Sequence, residues 1–251
     1  MPKLESILQF LEERLTVSDF PDYPNALNGL QVQGPEEVRR VTTAVDASER
    51  TILTALERGA ELLVVHHGLF WDGFGALTGA RFRKVQALIE GQMGLYAVHL
   101  PLDAHPDLGN CALLTRAIGM EPAGPFGAFQ GRMVGCWAAE KIQRATLRER
   151  VAATVDGEVR LISGGSETVE RVGVVTGGGA SFLGEAKEMG LSALITGEAA
   201  HHHFHEAMEL GINLLLGGHY ATETFGVRAL GGVLSEEFDL DCVFLDLPTG
   251  M

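Results

Sequence analysis

The 251-residue sequence predicts an α/β protein made of two duplicated α/β repeats with mixed, largely parallel sheets. Three observations carry that reading. Short apolar runs, partly β-branched and without polar alternation, recur between longer amphipathic stretches, which is how parallel strands buried on both faces read. The stretch "RVTTAVDASERTILTALERGAELLVVHHG" (40–68) aligns without a gap with "RVGVVTGGGASFLGEAKEMGLSALITGEA" (171–199), a constant offset of 171 − 40 = 131. A Gly- and Pro-rich join, "GMEPAGPFGAFQG" (119–131), lies between the halves and sets the repeats at 1–125 and 126–251.

The elements follow in order. The first half reads as helix 3–16, strand "VTTAV" (41–45), helix 48–58, strand "LLVVH" (62–66), helix 80–91, strand "LYAVH" (95–99) and helix 108–118. Ser48 is placed to cap its helix. The second half reads as strand "GRMVGCWAA" (131–139), helix 144–155, strand 158–162, strand "VGVVT" (172–176), helix 180–189, strand "ALIT" (193–196), helix 199–210, strand "NLLLG" (213–217), helix 221–235 and strand "CVFLD" (242–246). Within the aligned pair Arg40 meets Arg171, Val41 meets Val172, Ala55 meets Ala186 and Gly59 meets Gly190. Both glycines end a helix, where a left-handed residue is wanted. A strand–helix–Gly–strand order shared over the whole stretch points to internal duplication.

Composition narrows the function. Net charge is 19 − 33 = −14, and no Lys/Arg cluster offsets it, which argues against nucleic acid as an extended ligand. No uninterrupted apolar run reaches the roughly 18 residues of a membrane span. The N-terminus carries Glu5, Glu12 and Glu13, so it reads as a helix and not as a secretory signal. The three cysteines, Cys111, Cys136 and Cys242, have no CxxC spacing. They fit buried thiols in a reducing cytoplasm and exclude a disulfide scaffold or a Cys-based zinc finger.

Right-handed crossovers bring strand C-termini to one edge of each sheet, where ligands of open α/β sheets bind. Imidazole and carboxylate gather at those ends. His66 and His67, then Gly68, follow "LLVV"; His99 and then Asp103 follow "LYAV"; His219 and Glu223 follow "NLLL" in "GGHYATE". A single histidine at a strand end is more often a hydrogen-bonded structural residue. His66, His67, Asp103, His219 and Glu223 together suit one or two divalent ions such as Zn, Mn or Fe. His219 and Glu223 are four apart and share a helix face if a helix begins at the glycines. Glu223 has the reach to bridge two ions. His99 is read as an outer residue that orients Asp103, and His105 as structural or peripheral.

The stretches "VVHHGLFW", "HLPLDAHPDLGN", "TGGGASF", "ITGE" and "GGHYATETFGVRAL", in that order and spacing, resemble the NIF-three-like family, whose members are often named type 2 homologues of GTP cyclohydrolase I. The likeness runs from "NGLQV" (28–32) to "FLDLP" (244–248) and looks like the short bacterial form, with no large insertion between the halves. It implies two α/β repeats, a dinuclear metal site and a homohexameric ring with the sites facing an internal cavity. The family's ligands carry over onto His66, His67, Asp103, His219 and Glu223, with Glu223 shared between the ions.

Two other stretches compete for attention. "HHHFH" (201–205) opens a predicted helix, and a regular helix cannot aim three consecutive histidines at one ion; His201–His203 read as a partly solvated first turn. The family commonly has a histidine where His205 stands, so His205 and Glu198 are candidates for proton transfer near the metals. Gly177, Gly178 and Gly179 in "TGGGASF" form either a tight turn or a phosphate cradle at a helix start. The sum is a metal-dependent hydrolase of a small, nucleotide-like or heterocyclic substrate. The rival readings are a non-enzymatic metal-binding or metal-trafficking ring and a regulatory scaffold.

Overall fold

The computed structural model describes residues 1–71, 73 and 75–251. The chain divides into two compact units, one of residues 1–102 and 226–247, the other of residues 103–225 and 248–251. In the first unit α1 (Leu4–Leu15) buries Leu4, Ile7, Leu11 and Leu15, one face at helical spacing. Then come β1 (Gly29–Val32), β2 (Arg40–Asp46), α2 (Glu49–Glu57), β3 (Leu62–His67), α3 (Gly79–Glu90), β4 (Gly94–Ala97) and the single turn α4 (Leu100–Asp103), whose last residue belongs to the second unit. Ser48 caps α2 as its position predicts, its Oγ accepting the Thr51 amide at 3.0 Å.

The second unit holds α5 (Asn110–Ala117), β5 (Pro122–Phe129), β6 (Arg132–Gln143), α6 (Arg144–Val155), β7 (Arg160–Ser163) and β8 (Thr168–Val174). It continues through α7 (Leu183–Glu188), β9 (Ala193–Thr196), α8 (His202–Leu210), β10 (Asn213–Leu216) and the short α9 (His219–Thr222). Next, α10 (Thr224–Phe238) leads back to the first unit and ends at β11 (Asp241–Phe244).

The first sheet has the order β1-β4-β3-β2-β11. Its inner pairs are parallel, and β1 is antiparallel to β4. The second has the order β5-β6-β8-β9-β10-β7, with β8, β9 and β10 parallel and the outer pairs antiparallel. Read from its other end, β7-β10-β9-β8 repeats β1-β4-β3-β2, antiparallel edge included. The two repeats therefore share topology as well as sequence.

The repetition reaches single atoms. Arg40 Nη1 donates to the Arg58 carbonyl at 2.7 Å, and Arg171 Nη1 donates to the Met189 carbonyl at 2.6 Å, both partners moved by 131. The Glu61 amide meets the Arg40 carbonyl at 3.0 Å, and the Ser192 amide meets the Arg171 carbonyl at 2.9 Å. Gly59 and Gly190 take left-handed φ values of 72° and 69° after their helices.

Each sheet carries its own core. In the first unit Leu63, Val65, Leu88, Met93 and Leu95 are fully buried around β3. In the second, Leu114, Val151, Val172, Val174, Ile195 and Leu215 are fully buried around β8 and β9. Burying one such side chain contributes about 1.5–3 kcal/mol before the entropy of ordering is set against it.

Three elements differ from the sequence reading. The Gly/Pro stretch 119–131 is not a plain join: it contains β5, paired antiparallel with β6. Proline lacks a donor but is tolerated on an edge strand, and β5 is the edge. "GLQV" forms the edge strand β1, too short to show alternation. The helix expected over 221–235 is split at Glu223, whose φ of −105° and ψ of 8° separate α9 from α10. No helix among the described residues is long and apolar enough to cross a membrane.

Candidate functional site

In the first unit β3 runs between β2 and β4, and its Leu62–Val65 segment is fully buried. The strand delivers His66 and His67 at its C-terminal end; His99 lies two residues past the end of β4. Gly68 follows His67 directly and packs against the Gln31 side-chain amide. Gln31 Oε1 also takes the Leu69 amide at 2.8 Å.

One ring nitrogen from each of His66, His67 and His99 lies within 4.8 Å of the others. The rings are held from behind. Nδ1 of His66 donates to the Val98 carbonyl at 3.0 Å, Nδ1 of His67 to Asp46 Oδ1 at 2.8 Å, and Nδ1 of His99 to Asp22 Oδ1 at 2.9 Å. Oxygen acceptors on Nδ1 fix the tautomer that puts the lone pair on Nε2. This is the arrangement by which proteins prepare imidazoles for a metal. Three ring nitrogens so close together, on rings each backed by an oxygen, fit a divalent cation.

Asp22 is itself locked. Its carboxylate accepts from Asn28 Nδ2 at 2.8 Å and from the Tyr23 and Leu100 amides at 2.7 and 3.1 Å. Burial would push its carboxyl up. The hydrogen bond and charge of His99, with the bonds from Asn28 and Tyr23, outweigh that and hold it below the usual range. Trp71 presses edge-on against His99, with ring centroids 4.6 Å apart.

The second unit places Asp103, Glu198, His219 and Glu223. His219 opens α9. Its Nε2 is 3.2 Å from Glu223 Oε2, and its Nδ1 is 3.1 Å from Glu198 Oε1. Glu223 is 2% exposed, and a carboxylate buried to that extent needs a positive partner. In the metal-free chain the imidazole supplies it: the Glu223 hydrogen bond, opposed by burial and reinforced by both carboxylate charges, pushes the His219 pKa up to about 9. A divalent ion offers the same charge compensation in place of that proton.

Gly177 makes room for the pair. Its φ is +59°, and a Cβ there would run into Glu223 Oε1 and come within 3.2 Å of His219 Nε2. Asp103, at the last position of α4 and 6% exposed, accepts at Oδ1 from Asn110 Nδ2 (2.8 Å) and Thr176 Oγ1 (3.1 Å).

The glycine turn is largely occupied with its own unit. The Gly177 amide donates to Thr222 Oγ1 and the Gly179 amide to Thr196 Oγ1, at 3.1 and 2.8 Å. Two of the three amides that a phosphate would need are thus already used. The histidine run is exposed apart from the half-buried His203, whose Nδ1 accepts the Ala200 amide at 3.0 Å and so closes the start of α8. His205 is exposed, with His201 and Phe204 as ring neighbours. Burial pushes the Cys111 and Cys136 thiols up, away from nucleophilic use.

Asp22, Asn28, Asp46, Asn110 and Thr176 were not singled out by the sequence. Asp46 ends β2, so the strand-end rule could have found it; Asp22 sits in a loop with no periodic signal.

Residues 2–249 match the family model Duf34/NIF3 (NGG1p interacting factor 3). A Deinococcus radiodurans protein named "GTP cyclohydrolase 1 type 2 homolog" is 41% identical over 98% of this chain and 94% of its own length. An Escherichia coli K12 protein of the same name is 38% identical over 96% of each chain. The crystal structure of TTHA1606 from Thermus thermophilus superposes with a TM-score of 0.92 at 37% identity, covering both chains fully. With two mixed α/β sheets of matching topology and a family model spanning nearly its whole length, the chain belongs to the Duf34/NIF3 family.

Proposed function

We propose that this protein is a metal-dependent hydrolase of a small, nucleotide-like heterocyclic substrate. In this reading His66, His67, Asp103, His219 and Glu223 hold two divalent ions, with Glu223 as the shared ligand. The observation that carries the proposal is the pair His66 and His67 at the end of β3, each with its Nδ1 committed to an oxygen and a ring nitrogen among clustered metal-ligating atoms. The naming of its relatives as GTP cyclohydrolase 1 type 2 homologues supports a nucleotide-like substrate.

Bound divalent ions would supply Lewis acidity. The chain's own residues do the remaining work. Asp46 and Asp22 keep the proton of His67 and His99 on Nδ1. Glu198, half-exposed beside His219, orients that ring through Nδ1 and is placed to carry a proton to solvent. The exposed imidazole of His205 is a second proton carrier in this reading. The homohexameric ring follows from the family resemblance, and light scattering of the purified protein tests it.

The decisive experiment purifies the protein without added metal and measures bound Zn, Mn and Fe. It then screens GTP, other nucleotides and phosphorylated metabolites, with His67→Ala and Glu223→Ala alongside. Bound metal and turnover in the wild type, both lost in the variants, are expected. Variants that keep metal and activity would sink the site assignment. Metal without turnover of any candidate would leave the metal-holding ring as the function.

A further inference from the structure

We propose that Asn110 and Thr176 are positioning residues that aim the Asp103 carboxylate at a metal ion; this rests on the ligand role given to Asp103 above. Both donors meet the same oxygen. Asn110 Nδ2 and Thr176 Oγ1 approach Oδ1 at 2.8 and 3.1 Å. Two donors on one oxygen hold the carboxylate in place and limit how it can turn.

The donors cannot drift. Asn110 is 0% and Thr176 5% exposed. Threonine is β-branched and stiff about χ1, and its amide and hydroxyl both lie 3.5 Å from Cys111 Sγ. That thiol in turn donates to the Val134 carbonyl at 3.3 Å. Asn110 and Cys111 are the first two residues of α5. The start of this helix therefore grips Asp103 twice, directly through Asn110 and through Cys111 by way of Thr176.

The position of Thr176 ties Asp103 to the other acid of the unit. It immediately precedes Gly177, whose missing side chain accommodates Glu223 and His219. The dipeptide 176–177, just past the end of β8, thus sets the place of Asp103 by a hydroxyl and that of Glu223 by an absence. Outer-sphere donors of this kind typically change metal affinity by about 10–100-fold.

The test uses the full-length protein and Zn, Mn and Co ions. Thr176→Val keeps the side-chain shape and removes the donor. Chelator competition is expected to show about 10–100-fold weaker Zn and Mn binding, and the visible absorption bands of the Co-loaded protein are expected to shift. Thr176→Ser restores the hydroxyl and should return affinity and spectrum toward wild type. Asn110→Ala acts on the same oxygen and should weaken binding in the same direction. If Thr176→Val does not fold, Asn110→Ala decides by the same two readouts. Thermal unfolding of the metal-free variants separates a folding defect from a binding defect.

Folded Thr176→Val or Asn110→Ala protein with wild-type affinity and spectrum overturns the proposal, as does a serine variant that folds without rescuing. Asp103→Asn distinguishes the two levels. If it keeps full metal affinity, the ligand role of Asp103 is wrong. If it alone loses metal, only the positioning role is wrong.

Discussion

Gly177→Ala tests whether the Glu223–His219 pair is built by the absence of a side chain. Two costs add. An L-residue at φ +59° costs about 1–2 kcal/mol in a left-handed conformation. The new Cβ would also fall on Glu223 Oε1 and lie 3.1 Å from its Cδ, so the carboxylate must turn away from His219. Glu223 is 2% exposed, and leaving such a group poorly paired costs about 1–3 kcal/mol. The sum is roughly 2–5 kcal/mol. At about 2–4 °C per kcal/mol for a chain of this size, Tm should drop by roughly 4–20 °C.

The control is Gly131→Ala, at φ +83° with nothing within 4 Å of its Cβ. It carries the backbone cost alone, about 1–2 kcal/mol. Calorimetry gives the stabilities and chelator competition gives the metal affinities. Gly177→Ala should weaken metal binding at least about tenfold, while Gly131→Ala leaves it unchanged. Equal destabilisation by the two substitutions, with metal affinity intact in both, would refute the reasoning.

Three further outcomes follow from the same geometry. Asp46→Asn removes the carboxylate charge behind Nδ1 of the proposed ligand His67 and should weaken metal binding by about 10–100-fold; Asp22→Asn, which acts on His99 outside the proposed ligand set, should weaken it less, and both are read by chelator competition. Ser48→Ala deletes the α2 cap and should cost about 1 kcal/mol in urea unfolding, with no change in metal content. Cys242 is pushed up to about 11, by burial first and the Asp241 charge second. At pH 8 its thiolate fraction is then about 0.1%, against about 10% for a thiol of pKa 9, so a thiol reagent should act on the native protein about 100-fold slower than on an unshifted thiol. Its rate should climb about tenfold per pH unit until pH 11, and a fast native reaction at pH 8 would contradict the burial.

What the sequence disclosed depended on whether one residue or a pairing carried the signal. β3, β9 and the 172–174 end of β8 are apolar runs at sheet centres and are legible directly. β5 was not: Pro122 and Pro125 read as a break, and only pairing with β6 makes the segment a strand. The return of β11 to lie parallel beside β2 left no local mark either. His66, His67, His219 and Glu223 stood out because imidazole and carboxylate at a strand end are unusual there. Their supporting residues did not stand out. Thr176 and Asn110 are ordinary polar residues in sequence, and only the burial of both around one carboxylate oxygen shows their use.

The duplication also explains why, in the proposed site, the two repeats offer their ligands from different elements. By the offset of 131, His66 and His67 correspond to Gly197 and Glu198. A His at 197 is sterically barred. A Cβ there would lie 2.7 Å from the His219 Cα, 2.8 Å from the Gly177 carbonyl oxygen and 2.9 Å from Thr222 Oγ1. The backbone of α9 occupies the space that an imidazole from β9 would need. The second repeat therefore places its imidazole one element later, at the first residue of α9, and leaves Glu198 to hold that ring from Nδ1. In the first repeat the equivalent turn α4 ends in Asp103, and β3 keeps its histidines. The Gly197 close approach and the placement of His219 are thus two sides of one packing choice. Restoring a histidine pair to the second repeat would require α9 to move, so a Gly197→His substitution should cost the His219 site and add no new one.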